Sequence, residues 1–146
     1  MAAMSNYLEN KLIDEIFRGT AYTIPGTLYI ALYTAAPSDA GGGTEVTIGT
    51  NNYSRASLVS SQSAWNNTQA SGTAVASTGT TGITANTASI TFATPSGSWG
   101  TVTHFGILDA ATSGNLLFHG ALTVSQTVNT GNVVSFAAGA LQITFA

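Results

Sequence analysis

Histidine and carboxylate side chains are the first candidates for chemistry, and the C-terminal half of the chain contains few of them. His104 and His119 lie in two apolar segments that predict strands, and Asp109 lies between these segments. Structural zinc sites need about four ligands, mostly cysteine and histidine. Because the chain has no cysteine, we interpret both histidines as hydrogen-bonded residues in or beside a sheet, and we predict no metal and no cofactor.

Motifs for nucleophilic or phosphate chemistry are missing from the sequence. The chain has no Gly-x-Ser-x-Gly elbow, no His-Glu-x-x-His and no dinucleotide fingerprint. Residues 41–43 are three glycines, but neither a lysine nor a helix start follows them. Glu9, Asp14 and Glu15 lie in one predicted helix, which leaves few acids for the paired carboxylates of glycoside hydrolysis. We predict that the protein is not an enzyme.

Aromatic residues could form a stacking platform for sugars. The residues concerned are Trp65, Trp99, Tyr22, Tyr29, Tyr33 and Tyr53. Aromatic side chains are equally typical of a β-sandwich core or of a protein interface. We favour core or interface, and we keep a carbohydrate-binding β-sandwich module as an alternative.

Charged residues are rare and unevenly placed. Only 6% of the residues are Asp, Glu, Lys or Arg, against roughly 25% in an average soluble domain. Five of the nine charges lie between residues 9 and 18, and Asp109 is the only charge after Arg55. A surface of Ser, Thr, Asn, Gly and Ala loses less on desolvation than a charged one, which favours a protein covered by partners. A secreted or thermally robust β-domain with a Ser/Thr-rich surface is the alternative.

Length, net charge and the lack of long apolar runs argue against several classes of protein. The 146 residues fit one domain. A net charge of −3 with three basic residues argues against nucleic-acid binding. No apolar run approaches the roughly 20 residues of a membrane span, and the N-terminus lacks the basic and apolar regions of a secretory signal. We predict neither a nucleic-acid partner nor a membrane partner.

One amphipathic helix is predicted over residues 5–18. Its apolar stripe consists of Leu8, Leu12, Ile13, Ile16 and Phe17. Asn6 and Glu9 predict a capping box at the start of the helix, and Gly19 predicts its end. The stripe either packs on the chain's own domain or docks on a neighbouring molecule.

From residue 27 onward the pattern changes to strands separated by turns rich in Gly, Asn and Ser. The predicted strands are residues 27–34, 53–60, 88–94, 99–108, 115–124, 133–136 and 140–145. Short strands at fairly even spacing predict a mainly β fold, an antiparallel β-sandwich with one N-terminal helix. We divide the chain into a helical region, residues 1–20, and a β-rich domain, residues 21–146.

Residues 60–87 have a different composition from the rest of the β-rich domain. They carry no charge, and their large apolar residues are Trp65, Val75 and Ile83. A structureless loop of this length is uncommon inside a compact domain. We therefore predict a long extended Ser/Thr/Gly-rich arm that becomes ordered at a contact between subunits.

Several segments of the sequence resemble a family of small bacteriophage virion proteins. They are residues 8–20, 28–46, 99–110 and 114–120, and the stretch behind Trp65 is similar in character. Residues 49–55 depart from the family's pattern, which indicates a variable surface. Proteins with similar sequences are often labelled tail-fibre proteins. Some of them are similar to capsid cement or decoration proteins, which form trimers over the shell. The resemblance implies a virion structural role.

The length of the chain and its lack of an internal repeat favour one of the roles that the resemblance implies. A fibre usually has a long repetitive shaft or a separate receptor tip, and 146 residues without an internal repeat provide neither. We therefore expect a capsid cement protein that assembles as a homotrimer with closed symmetry and stabilises the shell. A tail fibre or another tail component is the alternative. We expect the protein on the capsid surface rather than on the tail, after synthesis in the cytoplasm of a host bacterium.

The expected assembly interface combines the helix stripe with the arm. Its residues are Leu8, Leu12, Ile16, Phe17, Trp65, Val75 and Ile83. The expected partners are copies of the same chain together with the major capsid protein or other virion proteins.

Overall fold

Strands dominate the structure, a computed structural model that describes residues 2–66 and 76–145. They account for 39% of the described residues, against 9% in helix, so the predicted mainly β class is confirmed. The elements in chain order are β1 (Ala3–Met4), α1 (Asn6–Phe17), β2 (Thr27–Ala35), β3 (Thr44–Glu45), β4 (Ala56–Val59), β5 (Ile83–Ala85), β6 (Ile90–Thr91), β7 (Gly100–Leu108), β8 (Leu116–Val128), β9 (Ser135–Phe136) and β10 (Gln142–Thr144). Within the described residues, no helix combines the length and the apolarity that crossing a membrane requires.

Helix α1 begins directly after Ser5, which is its N-cap. The Ser5 hydroxyl accepts a hydrogen bond from the Leu8 N–H at 3.3 Å and donates one to the Leu116 carbonyl. The capping box predicted at Asn6 is therefore wrong by one residue, because Asn6 is already helical. At the other end, Gly19 adopts a φ of +67°, a left-handed conformation that ends a helix without strain from a Cβ atom.

A six-stranded antiparallel sheet forms the framework of the fold. Its strand order is β1-β8-β7-β2-β3, with β4 paired to β2. In the middle of the sheet, Ile107 of β7 pairs with Ile30 of β2 and with Phe118 of β8. The predicted strands at residues 27–34 and 99–108 correspond closely to β2 and β7, whereas β8 continues to Val128, beyond its predicted end.

Two short ribbons, β5–β10 and β6–β9, cover one face of the sheet. The main hydrophobic core lies between the sheet and these ribbons. Its large buried members are Ile30, Leu32, Val46, Tyr53, Ile90, Phe92, Trp99, Val102, Phe105, Ile107, Val128, Leu141 and Ile143. The architecture is sandwich-like, with a second layer made of separate ribbons rather than one continuous sheet.

The other face of the sheet carries a smaller buried cluster of Ala31, Tyr33, Leu108 and Leu116. Tyr33 therefore points away from the main core, as the alternation of side chains along a strand requires. Gly106 allows this packing, because a Cβ atom there would lie 2.8 Å from Cε2 of Tyr33 and 2.9 Å from Cδ1 of Leu116.

The two described ends of the predicted arm pack on the chain's own domain. Trp65 forms an isolated bridge with Asn86, and β5 pairs with β10. Asn86 is fully buried, and its Oδ1 accepts a hydrogen bond from the Leu141 N–H at 2.9 Å. Residues 67–75 of the predicted arm lie outside the described residues.

Candidate assembly interface

The apolar stripe of α1 is divided between the domain and the surface. Leu8 is buried and Leu12 is half-buried, so the first part of the stripe packs on the chain's own body. Further along the helix, Ile16 is 66% exposed and Phe17 is 79% exposed. We call the exposed apolar side chains at this end the apolar ridge; they are Ile13, Ile16, Phe17 and Ile24.

Two carboxylates beside the apolar ridge have close partners within the chain. Oδ1 of Asp14 forms a salt bridge with Nε of Arg18 at 2.9 Å. The Glu15 carboxylate accepts one from the backbone N–H of Tyr22, which holds the loop that carries Ile24 beside the helix. When the ridge leaves water, Asp14 therefore keeps a charge partner, whereas Glu15 keeps an unpaired charge that is costly to bury.

A groove lies beside the C-terminal part of β8. The strand register shifts between the pairs Val102–Gln126 and His104–Ala121, so that residues 122–125 of β8 lie opposite a single residue of β7. β8 bulges outward there, as extra residues in one strand require. Together with residues 132–136, the bulge encloses a groove of about 630 Å³, which we call the β8 groove.

The β8 groove is lined by uncharged residues. The buried core residues Leu32, Val102 and Phe105 form its floor. Val124 and Val133, at its rims, are 65% and 81% exposed. The groove is therefore an uncharged, concave surface of mixed polarity that remains open to solvent in the single chain.

The structure places the residues predicted for the interface in different environments. Ile16 and Phe17 lie on the apolar ridge, whereas the first two members of the helix stripe pack on the domain. Trp65 packs against the main core, Ile83 is half-buried in β5, and Val75 lies outside the described residues. The β8 groove was not predicted, because its walls come from segments whose proximity no local pattern reveals.

Arg55 links three segments of the chain through a buried set of hydrogen bonds. Its Nε and Nη2 donate to the two carboxylate oxygens of Glu45 at 2.8 and 2.7 Å. Its Nη1 donates to the carbonyls of Ala110 and Ser113 at 2.6 and 2.8 Å. Burial lowers the pKa of Arg55, but the hydrogen bond and charge of Glu45 outweigh burial and raise the pKa overall. Arg55 therefore stays charged and anchors the turn between β7 and β8.

Tyr53 and Trp99 belong to the core, and the core interpretation is confirmed for both. Their ring centroids are 5.1 Å apart in an edge-to-face arrangement, a favourable geometry for aromatic pairs. The Trp99 Nε1–H donates to the Asn51 carbonyl at 2.9 Å. Because both rings are almost fully buried, neither is available as a platform for a sugar.

His104 and His119 lie on neighbouring strands but make separate contacts. Nδ1 of His104 is 2.8 Å from the Thr103 hydroxyl, and Nε2 of His119 is 3.0 Å from Oδ1 of Asp39. His119 pairs across the strands with Gly106 rather than with His104. The interpretation of both as hydrogen-bonded residues beside the sheet is confirmed. Among the described residues, no group of three His, Asp or Glu side chains is arranged to hold a metal ion.

The comparisons with known proteins support the resemblance seen in the sequence. The family model described as Podophage GP4 fiber I protein gp80 matches residues 3–144. This match includes α1, the main sheet, both ribbons, the apolar ridge and the β8 groove. No curated protein matches the chain significantly.

Proposed function

The chain belongs to the podophage GP4 fiber I protein family gp80, and from this membership we propose that it is a fibre subunit carried on the phage tail. The family itself makes the chain a phage virion structural protein. In our proposal the subunit is not an enzyme and acts by binding copies of itself and other virion proteins. The family match carries the proposal, and the apolar ridge, which the fold presents to solvent, supports its assembly part.

Burial of the apolar ridge supplies a driving force for assembly. Complete burial of one Ile or Phe side chain contributes roughly 1.5–3 kcal/mol, and Ile16, Phe17 and Ile24 each expose well over half of their surface. Association also costs translational, rotational and side-chain freedom. A surface with few charges also lowers the cost of desolvation. The exposed ridge and the low charge of the chain therefore both favour a role in assembly.

We propose a homotrimer as the assembled form. Closed cyclic symmetry lets each copy bury its adhesive surfaces without leaving one open at an end. A trimer would also present several copies of the remaining surface, including the loop at residues 49–55, to a partner on the virion or on the host. Light scattering of the purified protein gives the subunit number directly.

A capsid cement protein is the second candidate, and the arrangement of the described residues around one main sheet favours this role. The described residues are organised around one main sheet and two ribbons, without the repetitive shaft of a long fibre. A cement protein needs only such a body and an adhesive surface, and its partner would be the major capsid protein. The helix end with the apolar ridge would then be the part that contacts the shell.

Position and copy number in the particle test the proposal. Gold-labelled antibody against the protein is expected to mark tails, and gel quantification against the major shell protein is expected to show few copies per particle. Labelling over the head, with a copy number close to that of the shell protein, would favour the cement role instead. Absence of the protein from purified particles would contradict both roles.

A further inference from the structure

We propose that the β8 groove accepts an extended, uncharged strand of another virion protein, which pairs with the free edge of β8. The inference rests on the proposed function, because it specifies the chemistry of a virion protein that this subunit binds. The walls of the groove are β8 and residues 132–136, which follow each other in sequence around a turn at residues 129–132. Within the described residues these two walls do not pair with each other, since β8 pairs with β7 and β1, and β9 pairs with β6.

The outer edge of β8 is open over most of the length of the strand. β8 has 13 residues, and β1 pairs with only two of them, Phe118 and His119. Beyond β1, no other strand in the described part of the chain pairs with this edge. An edge strand presents a row of unpaired N–H and C=O groups, and the bulged residues 122–125 add groups for which β7 offers too few partners. These backbone groups need hydrogen-bond partners when the groove is covered.

The opposite edge of the same sheet is better protected against strand addition. The edge strands there, β3 and β4, are two and four residues long, and short edge strands are a common protection. Charged residues and prolines are two further protections, and residues 120–136 contain neither. The edge of β8 is therefore available for an added strand except where the bulge distorts it.

The lining of the β8 groove selects an extended, uncharged segment as its occupant. The lining residues carry no ionisable group, so a charged occupant would lose hydration without gaining a partner. The lining combines Val124 and Val133 with the polar side chains of Gln126 and Asn132. An extended strand suits both, because its backbone binds the edge while alternate side chains enter the groove. A helix does not suit the edge, because its backbone groups are already bonded within the helix.

The bulge favours a strand from another protein over the β8 edge of a second copy. Two β8 edges would pair antiparallel about a two-fold axis, and an axis within residues 122–125 would set one bulge against the other. Extra residues in both strands would then interrupt the ladder at the same point. The other strands in the described residues already belong to the sheet or the ribbons of their own copy. The donated strand therefore comes from a different protein.

Synthetic peptides test the chemistry of the groove. The probe is an acetylated and amidated heptapeptide of alternating Thr and Val, added to the full chain at up to about 1 mM. We expect it to slow amide hydrogen exchange within residues 120–128, where the free edge lies. Two matched peptides replace the central Val by Pro, which lacks the N–H, or by Glu, which carries a charge. Both are expected to bind at least about tenfold more weakly.

A substitution in the edge itself locates the binding. Val124 is 65% exposed, and lysine on an edge strand opposes strand addition. We therefore expect Val124→Lys to weaken binding of the Thr/Val heptapeptide at least about tenfold. Val59→Lys is the matched control, because Val59 is 51% exposed on β4, away from the groove, and it is expected to leave binding unchanged. Melting curves equal to that of the unsubstituted protein show that each variant is folded.

Photocrosslinking in purified phage particles identifies the source of the strand. The chain has no cysteine, so a benzophenone maleimide attaches only at the introduced thiol of Val133→Cys, or of Val59→Cys in the control. We expect the label at position 133, and not the label at position 59, to join the chain to a different protein. Mass spectrometry of the adduct is expected to show a crosslinked segment without charged residues.

Three results would overturn the inference. Equal binding of the three peptides, or binding of none, would exclude strand addition. Heptapeptide binding unchanged by Val124→Lys would place the binding site elsewhere. A crosslink from position 133 to a second copy of the chain would make that copy the occupant. The proposed function fails in a different way, through absence of the protein from purified particles, even where the peptides bind as expected.

Discussion

Arg55 connects parts of the chain that are far apart in sequence. Its hydrogen-bond partners lie 10, 55 and 58 residues away, and its side chain is only 4% exposed. A planar guanidinium can bind a carboxylate with two hydrogen bonds and still reach carbonyl oxygens, which an ammonium group cannot do in the same geometry. In a chain with three basic residues, this one holds the β7–β8 turn against the strands.

We expect Arg55→Ala to lower the free energy of unfolding by about 3 kcal/mol, because it leaves the Glu45 carboxylate without its partner in a largely buried site. Urea denaturation followed by tryptophan fluorescence measures the change. Arg18→Ala is the control, since its pair with Asp14 is solvent-exposed and is expected to contribute about 0.5 kcal/mol or less. Equal losses in the two variants would contradict a structural role for the Arg55 pair.

Tyr53 makes the stability of the fold sensitive to alkaline pH. Burial raises the pKa of Tyr53 far above its usual value of about 10. Its hydroxyl accepts a hydrogen bond from the Leu32 N–H at 2.8 Å and contacts Glu45 at 3.2 Å. Because the folded state holds the phenol proton more tightly than the unfolded state, stability is complete below about pH 10 and falls as the pH rises above it.

Urea midpoints measured from about pH 8 to about pH 12 test this dependence. Tyr53→Phe is expected to be less stable at neutral pH by about 1 kcal/mol, through loss of hydrogen bonds, and to lose less stability at high pH. Some alkaline loss remains, because burial also raises the pKa values of Tyr22 and Tyr33. A pH slope unchanged by the substitution would show that Tyr53 is not responsible.

At the scale of elements, the start of α1 depends on Ser5. Its hydroxyl caps the helix and also binds the Leu116 carbonyl of β8, so it fixes the helix to the sheet. We expect Ser5→Ala to destabilise the fold by about 1–2 kcal/mol. Asn6→Ala, which alters the cap predicted from the sequence but touches an exposed side chain, is expected to change stability by less than about 0.5 kcal/mol. Chemical denaturation of both variants shows which residue caps the helix. A larger loss of stability in Asn6→Ala than in Ser5→Ala would support the cap predicted from the sequence.

The elements that the sequence predicts well are those with a local signal. The stripe of α1 and the alternation of Leu28, Ile30 and Leu32 in β2 follow from burial of one face, and the structure has both elements nearly where they are predicted. The bulge of β8 and the pairing of β5 with β10 have no such signal, because they depend on the register between distant strands. The β8 groove arises from that register, which is why the sequence shows the ridge residues but not the groove.

At the scale of the whole molecule, polarity is unevenly distributed. Most charges lie on α1, and after Arg55 the chain has one charged residue. Beside the ridge, Asp14 pairs with Arg18, whereas Glu15 keeps its charge and accepts a hydrogen bond from the Tyr22 N–H. A surface with so few charges gives up water easily, which favours the proposed assembly.

The two ends of the helix stripe have different environments, so substitutions at each end test folding and the proposed assembly separately. Leu8 is buried and Phe17 is exposed. We expect the double substitution Ile16→Gln and Phe17→Gln to leave unfolding free energy within about 0.5 kcal/mol while converting the oligomer to monomer. Glutamine keeps a high helix propensity, so the change removes apolar surface without disturbing α1. Light scattering gives the mass, and urea denaturation of the monomeric variant gives the stability.

Leu8→Ala is the matched substitution at the buried end of the same stripe. It leaves a cavity and is expected to cost about 2–5 kcal/mol of unfolding free energy, while any folded fraction still assembles because the ridge is intact. If the glutamine variant instead remained oligomeric and fully stable, the exposed ridge would not be an assembly surface, and the contact between copies would have to use the neutral polar surface alone. If it lost stability as Leu8→Ala does, Ile16 and Phe17 would contribute to the fold of the single chain rather than to its association.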